Sequence, residues 1–191
     1  MSRTTNPELA QQIVTAARRL WRERGEKSLT LRAVARAAGT TPPSVYQRFP
    51  AKQDLIAALA ERVRADMAEE IIQTRTLERG FRRYFEIAEQ RRQEYGLIFG
   101  AAFPQLFAKG SPRPSSEWAR RLLAERHGGR PQDYRRTVNA MICLLHGAAS
   151  LLQYTPPGPL ADEMRDGALS ACAELADHPL ELRKKRKQKR R

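Results

Sequence analysis

Apolar residues recur at intervals of three and four along almost the whole chain, and this helical spacing limits the possible fold more than any other feature. The first stripe consists of Leu9, Ile13, Ala16, Ala17, Leu20 and Trp21. Strand patterns are nearly absent, because no stretch alternates polar and apolar residues for more than a few positions. The sequence therefore predicts an all-α protein.

Start and stop signals divide the chain into helices. Asn6-Pro7-Glu8 begins the first helix and Gly25 ends it, while Thr30 caps a second helix that stops at Ala38-Gly39. Pro42-Pro43 begin a short third helix that Pro50 closes. Further helices are predicted over about 52–74, around 81–88 and 95–99, and over about 117–126, 132–153 and 160–176, with a loop over 108–116. The pattern indicates a three-helix head joined by a long helix to a larger helical body.

The positive charge of the chain is concentrated at its two ends. Lys and Arg number 35 against 21 Asp and Glu, which gives a formal net charge of +14. Residues 1–50 carry a net charge of +6 and residues 183–191 carry +8, whereas residues 51–182 are neutral. A clustered excess of this kind is typical of a protein that binds a polyanion such as DNA.

Several classes of protein are excluded by what the sequence lacks. No apolar run approaches the roughly 20 residues of a membrane span, and the N-terminus has no apolar signal core. Cys143 and Cys172 are too few for a disulfide framework, so a cytoplasmic location without a membrane partner is expected. The three histidines lack metal-binding spacing, and no nucleophile or phosphate-loop motif occurs. We expect no enzyme, no metal and no cofactor.

Residues 30–49 have the proportions of a helix-turn-helix, with a glycine at the turn. Val34, Val45 and Phe49 can close its small core against the first helix. The exposed face would then present Thr40, Thr41, Ser44, Gln47 and Arg48, which offer hydrogen-bonding groups and no acid. A short helix of this kind can enter the major groove of DNA and contact base edges.

A longer pattern runs through the same segment. The spacing T-x3-[IV]-A-x2-A-G-x5-[LV]-Y-x-[HR]-F-x2-K-x2-L is met at every place, by Thr30, Val34-Ala35, Ala38-Gly39, Val45-Tyr46, Arg48-Phe49, Lys52 and Leu55. With this pattern, residues 6–66 resemble the DNA-binding domain of the TetR (tetracycline-repressor-like) family of transcriptional regulators.

The resemblance implies that Thr30, Tyr46 and Lys52 bind phosphates and that Gln47 and its neighbours on the 42–48 helix face bases. The predicted DNA-contacting set is Thr30, Arg32, Thr40, Thr41, Pro42, Ser44, Tyr46, Gln47, Arg48 and Lys52. Two positions depart from the common family form: Arg48 replaces a frequent histidine, and Pro42-Pro43 stand where many members have polar or glycine residues. A second interpretation of Tyr46 is a core residue.

Residues 67–178 are predicted to form a ligand-binding and dimerisation domain, because members of the resembled family bind small effectors between helices of the body. The expected pocket residues are Phe81, Phe85, Phe99, Phe103, Trp118, Asn139 and His146, although each has the alternative of ordinary core. His146-Gly147 and the segment 95–100 resemble a TetR subgroup with a Trp-His-Gly sequence, in which Leu145 here replaces the tryptophan.

The helices over 132–153 and 160–176 are the predicted dimer surface. Gly147, Ala148 and Ala168 allow close helix approach, and Leu144, Leu151, Met164 and Cys172 supply apolar area. Two copies would form an isologous four-helix interface. The alternative is that both helices are buried within one chain.

Residues 179–191 form a basic tail, interpreted as a non-specific phosphate clamp, as a solubilising terminus or as a segment for an acidic lipid surface. Taken together, these features predict a DNA-binding regulator, and the resemblance to the TetR family implies a homodimer that binds a palindromic operator as a repressor and is released by a small-molecule effector. The alternative is a DNA-compacting protein that uses charge without sequence choice.

Overall fold

The computed structural model describes residues 7–102 and 113–180, and within these ranges the protein is helical and has no strand. Its helices are α1 (Pro7–Arg24), α2 (Leu31–Ala37), α3 (Pro42–Arg48), α4 (Lys52–Ile72), α5 (Leu77–Gln90), α6 (Arg92–Gly96), α7 (Pro114–His127), α8 (Arg135–Leu152) and α9 (Pro159–Asp177). Short 3₁₀ turns cover Glu26–Ser28 and Pro131–Tyr134. The predicted all-α class is confirmed.

The described residues fall into two compact units. Unit 1 consists of residues 7–67 and 90–102, and unit 2 consists of residues 68–89 and 113–180. The boundary between α4 residues 67 and 68 lies close to the predicted start of the body at residue 67. The assignment of residues 90–102 to unit 1 was not expected from the sequence, and the functional division at 6–66, 67–178 and 179–191 stays a prediction.

The first three helices of unit 1 begin and end where local sequence signals place them. Gly25 ends α1 with a φ of +66°, a conformation that glycine adopts without strain. The Thr30 side chain caps α2 by accepting a hydrogen bond from the Ala33 N–H at 3.1 Å. Gly39 turns the chain into α3 with a φ of +64°. The predicted roles of these three residues are therefore confirmed.

The core of the helix-turn-helix joins α1, α2 and α3. Val34 and Val45 are completely buried, and Phe49 closes the C-terminal end of α3. Ala35 on α2 is also buried. Burying these apolar side chains stabilises the short helices, which would not persist alone in water.

Residues 90–102 pack in unit 1 through α6. The indole N–H of Trp21 donates to the Gln93 carbonyl oxygen at 2.8 Å. The predicted short helix at 95–99 is partly wrong, because α6 ends at Gly96 and the next residues, Leu97–Ala101, form a wider π-helical turn. Such turns insert one residue into the helical repeat and cannot be read from apolar spacing.

In unit 2, the indole of Trp118 on α7 packs against Gly80 on α5. A Cβ placed on Gly80 would lie 3.0 Å from Cη2 of Trp118. Helices α8 and α9 pack along one another, and the Cys172 thiol lies 3.8 Å from the Met141 carbonyl oxygen. The end of the described chain is attached to α8, because the Leu180 N–H donates to the Thr137 hydroxyl at 3.1 Å.

Three predicted boundaries in the body need correction. Helix α7 starts at Pro114, so residues 114–116 of the predicted loop are helical, with the proline in the first turn where it costs no hydrogen bond. The predicted helix 132–153 is divided into the 3₁₀ turn Pro131–Tyr134 and α8. Helix α4 ends at Ile72 instead of residue 74, because Arg75 takes a positive φ of 67°. Asn6 and residues 108–112 lie outside the described residues.

Among the described residues, no helix combines the length and the apolarity that crossing a bilayer would require.

Candidate nucleic-acid interface

The recognition surface is built on α3, whose start is fixed by a side-chain cap. The Thr41 hydroxyl accepts from the Ser44 N–H at 3.4 Å and shares a hydrogen bond with the Ser44 hydroxyl at 2.9 Å. Pro42 and Pro43 occupy the first turn, where a missing N–H costs nothing. Thr41 and Ser44 were predicted only as DNA contacts; a threonine directly before a proline of the first turn is the sequence signal for the capping role of Thr41.

One side of α3 is buried and the other is exposed. Val45 lies in the core, whereas Tyr46 is 48% exposed and Gln47 is also exposed. The alternative that Tyr46 fills the core is therefore wrong. Arg48 is half-buried, and its guanidinium donates to the Ser44 carbonyl oxygen at 3.4 Å. The exposed face of α3 carries no acidic side chain.

The two predicted phosphate-binding residues outside α3 lie at the starts of neighbouring helices. Thr30 is exposed, and its oxygen accepts from the backbone, which leaves the hydroxyl hydrogen available for donation. Lys52 begins α4, where its ammonium lies 3.6 Å from Glu26 Oε1 and donates to the Glu26 carbonyl oxygen at 3.4 Å. The 3₁₀ turn thereby holds Lys52 close to the head, and Glu26 lowers the positive potential that Lys52 presents.

Of the other predicted DNA-contacting residues, Arg32 and Pro42 are exposed and Thr40 is half-buried. Arg32 lies on α2, one residue past the helix start. All three residues belong to unit 1, as do Tyr46 and Gln47. The structure describes every residue of the predicted DNA-contacting set.

Several arginines of unit 2 are paired with carboxylates. In unit 2, Arg83 and Arg165 bind carboxylates, with Arg83 Nη1 at 2.7 Å from Glu86 and Arg165 Nε at 3.1 Å from Glu89. These hydrogen bonds raise the pKa of both guanidinium groups. Arg126 likewise pairs with Asp177. Residues 51–182 have no net charge, so the excess of positive charge in the described part of the chain lies in the head.

The structure describes six of the seven predicted effector residues, five in unit 2 and one in unit 1. Phe81, Phe85 and Trp118 are buried in unit 2, and Asn139 is exposed on α8. His146 is half-buried, with its Nδ1 at 3.4 Å from the Ser150 hydroxyl, and burial lowers the pKa of the imidazole. Phe99 belongs to unit 1. Phe103 lies outside the described residues.

The predicted dimer residues divide into an exposed and a buried group. Leu144, Gly147 and Leu151 lie exposed on α8 at intervals of three and four residues, while Ala148 and Met164 are half-buried. Ala168 and Cys172 need correction, because both are buried where α9 packs against α8. This burial raises the pKa of the Cys172 thiol to about 12.

Tyr154 and Leu160 are exposed apolar residues that the sequence analysis missed. Tyr154 is 90% exposed and Leu160 is 58% exposed. Tyr154 continues the three-four spacing of Leu144, Gly147 and Leu151, so its position in that series was the available signal. Leu160 lies in the first turn of α9.

No cluster of three or more His, Cys, Asp or Glu side chains that could hold a metal ion occurs in the part of the chain that the structure describes.

The chain is similar to known proteins in its N-terminal sequence and in its fold. Residues 13–59 match the family described as "Bacterial regulatory proteins, tetR family". No curated protein matches the chain. The multidrug binding protein EbrR, solved with ethidium, has a TM-score of 0.62 at 22% identity over 89% of this chain and 99% of its own.

Two structures from Streptomyces coelicolor are also similar. A TetR-family transcriptional regulator has a TM-score of 0.60 at 21% identity, over 90% of this chain and 99% of its own. A second member of the TetR family has a TM-score of 0.59 at 22% identity, over 88% of this chain and 98% of its own. At these identities the likeness establishes the fold. Residues 13–59 of this chain are therefore similar to the tetR family of bacterial regulatory proteins, and the chain has the all-α fold of TetR-family structures.

Proposed function

We propose that the protein is a homodimeric, sequence-specific DNA-binding transcriptional regulator, and that it represses transcription until a small effector releases it. The single observation that carries the proposal is the exposed, acid-free face of α3, held by the Thr41 cap and presenting Tyr46 and Gln47. The match of residues 13–59 to the tetR family supports the same conclusion.

In the proposed complex, α3 enters the major groove while α2 crosses the phosphate backbone. Gln47 would contact base edges, because its amide both donates and accepts hydrogen bonds. Thr30, Tyr46 and Lys52 would hold phosphates on either side of the groove and fix the register of α3. Arg48 would add a permanent positive charge beside the backbone.

The proposed dimer uses the exposed apolar line of Leu144, Gly147, Leu151 and Tyr154 on α8 and just after it. An exposed row of large apolar side chains at helical spacing is favourable to cover with a second helix, and the glycine permits close approach. Two heads would then address half-sites about 34 Å apart, or a multiple of that distance. The operator would accordingly be palindromic.

The proposed effector site lies in the body, residues 67–178. EbrR, which shares the fold, is a multidrug binding protein solved with ethidium and with proflavin. For this chain, Phe81, Phe85 and Trp118 are candidates for an apolar effector surface, with His146 as a polar group. A coupling free energy of about 1–3 kcal/mol would change operator affinity by roughly 5–150-fold.

The proposed regulator acts in the cytoplasm and has no catalytic role. The competing proposal is a DNA-compacting protein that binds through the positive charge of the head and tail. The two differ in the ratio of affinities: a regulator binds its operator roughly 10³-fold or more tighter than random DNA, whereas a compacting protein binds both alike.

The test is selection of genomic fragments by the full chain, followed by gel-shift titration of the selected and random duplexes at two salt concentrations. Gln47→Ala should weaken operator binding by about 1–3 kcal/mol and leave random-duplex binding unchanged. Gln132→Ala, an exposed glutamine in unit 2, is the matched control and should change neither. Equal affinity for selected and random duplexes would reject the regulator in favour of the compacting protein.

A further inference from the structure

The head contains a second cationic surface that the helix-turn-helix contacts do not use. An open cleft of about 530 Å³ lies between the C-terminal part of α1, the 3₁₀ turn and α2. Three of its lining residues are cations: Arg24, Lys27 and Arg36. We name this feature the Arg36 cleft. Its floor includes Ala33 and Ala37, whose small side chains leave room for a ligand to approach α2 closely.

The three cations of the Arg36 cleft have no acidic partner among the residues that the structure describes. All three side chains are exposed, and no acid lines the cleft. Glu26, which lies between Arg24 and Lys27 in the sequence, instead has its carboxylate 3.6 Å from the Lys52 ammonium. Three cations in one concave surface repel each other, and a bound anion would remove that repulsion.

The backbone that carries Lys27 is held in place. The Ser28 hydroxyl is 2.8 Å from the Gly25 carbonyl oxygen and 2.9 Å from the Leu20 carbonyl oxygen. The Ser28 N–H donates to the Gly25 carbonyl oxygen at 3.2 Å, and the Leu29 side chain is fully buried. On the far side of the cleft, Arg36 lies on α2. The ends of the cleft are therefore preorganised, which lowers the entropy cost of binding.

A second open cleft in the head provides an internal comparison. It has about 490 Å³ and is lined by Glu8, Gln11, Gln12, Thr15, Ala16, Arg19, Ala37 and Ala38. Its single arginine, Arg19, donates to the Ala37 carbonyl oxygen at 3.1 Å, and its lining includes an acid. The two clefts have similar volumes, and both are lined by residues of α1 and α2. Of the two, the Arg36 cleft is the one that has three cations and no acid in its lining.

The Arg36 cleft is continuous with the proposed DNA surface. Arg36 lies one helical turn after Arg32 on α2, so both side chains are on the same side of that helix. Lys27 and Ser28 precede the α2 cap Thr30, and the neighbouring Glu26 contacts Lys52. In a helix-turn-helix complex α2 crosses the DNA backbone, so a row of cations along α2 faces phosphates.

On these grounds, and given the proposed DNA-binding function, we infer that the Arg36 cleft binds the phosphate backbone of duplex DNA beside each half-site. Arg24, Lys27 and Arg36 would contribute affinity for any sequence and would fix the angle at which the head meets the duplex. The bound groups are phosphodiesters of the same duplex that α3 contacts, and they lie beyond the base pairs that α3 contacts.

The test compares two triple variants of the full chain that each remove three positive charges. The cleft variant is R24Q/K27Q/R36Q. The control is R79Q/R82Q/R121Q, which changes exposed arginines on α5 and α7 of unit 2. The probe is a random-sequence duplex of about 40 base pairs, several helical turns long, and affinity is measured by fluorescence anisotropy between about 50 and 200 mM salt.

The cleft variant should lower the slope of log affinity against log salt concentration by about 3, and it should weaken binding roughly tenfold or more at low salt. The control should retain most of the original slope. Equal slopes for the two triple variants would overturn the inference. If the cleft triple variant fails to fold by circular dichroism, the single variants K27Q and R36Q replace it, each with an expected slope change of about 1.

Further measurements distinguish this inference from the proposed regulatory function and from binding of an acidic protein partner. On a selected operator, the cleft variant should lose hydroxyl-radical protection beside each half-site while keeping it within the half-sites. If the chain shows no operator preference at all, the proposed regulator fails, yet the random-duplex slope still tests the cleft. A poly-glutamate peptide that binds the original chain but not the cleft variant, with the duplex slope unchanged, would overturn the DNA assignment in favour of an acidic protein partner.

Discussion

Arg18 on α1 and Glu94 on α6 are 76 residues apart in sequence and form a hydrogen-bonded ion pair, with Arg18 Nε at 2.6 Å from Glu94 Oε1. The Glu94 side chain is almost completely buried, and Arg18 also binds Asp66 on α4. Hydrogen bonding to Glu94 is the main reason that the pKa of Arg18 is raised. One guanidinium therefore joins three helices of unit 1.

Removing Arg18 should destabilise unit 1 because it leaves a buried carboxylate without its cation. We expect Arg18→Ala to lower the free energy of unfolding by about 3 kcal/mol, at the lower end for a broken buried pair because Arg18 is partly exposed. Glu94→Gln should cost less, since Arg18 keeps Asp66. Urea unfolding of both single variants and the double variant measures the coupling; strictly additive effects would contradict a direct pair.

Thr30 is expected to have two separable roles, as the cap of α2 and as a phosphate contact. Thr30→Ala should lower stability by about 1 kcal/mol, because the Ala33 N–H loses its acceptor. The same variant should weaken DNA binding even where it is fully folded. Thr30→Ser keeps the hydroxyl and should restore both properties. Lost stability with unchanged DNA affinity of the folded protein would limit Thr30 to capping.

Gly80 should tolerate no side chain, although alanine normally favours a helix. A Cβ at this position would lie 3.0 Å and 3.2 Å from two ring atoms of Trp118 and 3.4 Å from Ile71. We expect overpacking to outweigh the roughly 1 kcal/mol gain in helix propensity, for a net loss of about 1 kcal/mol in unfolding experiments.

Gly96→Ala is the matched control for Gly80, because Gly96 has a helical φ of −62° and a Cβ placed on it would meet nothing within 4 Å. This variant should be neutral or stabilising by about 0.5–1 kcal/mol. Trp118→Phe removes the ring atoms that Gly80 approaches, so it should reduce the additional cost of Gly80→Ala. A stabilised Gly80→Ala variant would show that the Trp118 ring moves away freely.

The proposed dimer predicts that an acid on the exposed side of α8 separates the subunits. Leu151 is 56% exposed in the single chain. Leu151→Glu should convert the dimer to a monomer in light scattering and weaken operator binding, since two linked heads bind far more tightly than one. Gln132→Glu adds the same charge away from Leu151 and should leave the dimer intact. An unchanged dimer in Leu151→Glu would place the interface elsewhere.

The basic tail predicts a loss of affinity that does not depend on sequence. Deleting residues 183–191 removes eight Lys and Arg, and it should weaken operator and random duplexes by the same factor and reduce the salt dependence of both. A variant with these eight residues changed to Gln keeps the length of the tail and should behave like the deletion. Loss of operator binding alone would contradict the phosphate clamp.

Much of the N-terminal head could be predicted because its determinants are local. The hydroxyl of Thr30 caps the helix that follows it, and Gly25 and Gly39 permit the positive φ angles at which α1 and α2 end. These effects act within three or four residues, so they are visible in any window of the sequence. The charge excess of residues 1–50 likewise needs no coordinates.

The body was predicted less well because its features depend on which helix faces are covered. Cys172 and Ala168 were expected on an exposed surface, but the packing of α9 on α8 buries them. Tyr154 and Leu160 are exposed because no neighbouring helix covers them within the described part of the chain. Apolar spacing identifies a stripe, and only the neighbouring helix decides which part of that stripe stays in contact with solvent.

The sequence by itself determined that this protein is helical, where its first helices begin and end, and that a cationic helix-turn-helix lies near its N-terminus. These properties follow from hydrogen bonds, backbone preferences and charges within a few residues. Tertiary structure decided that Tyr46 is exposed, that Arg24, Lys27 and Arg36 share one cleft, and that Glu94 is buried against Arg18. Arg18 and Glu94 are 76 residues apart, and the other two features depend on how the apolar faces of α1, α2 and α3 pack and exclude water.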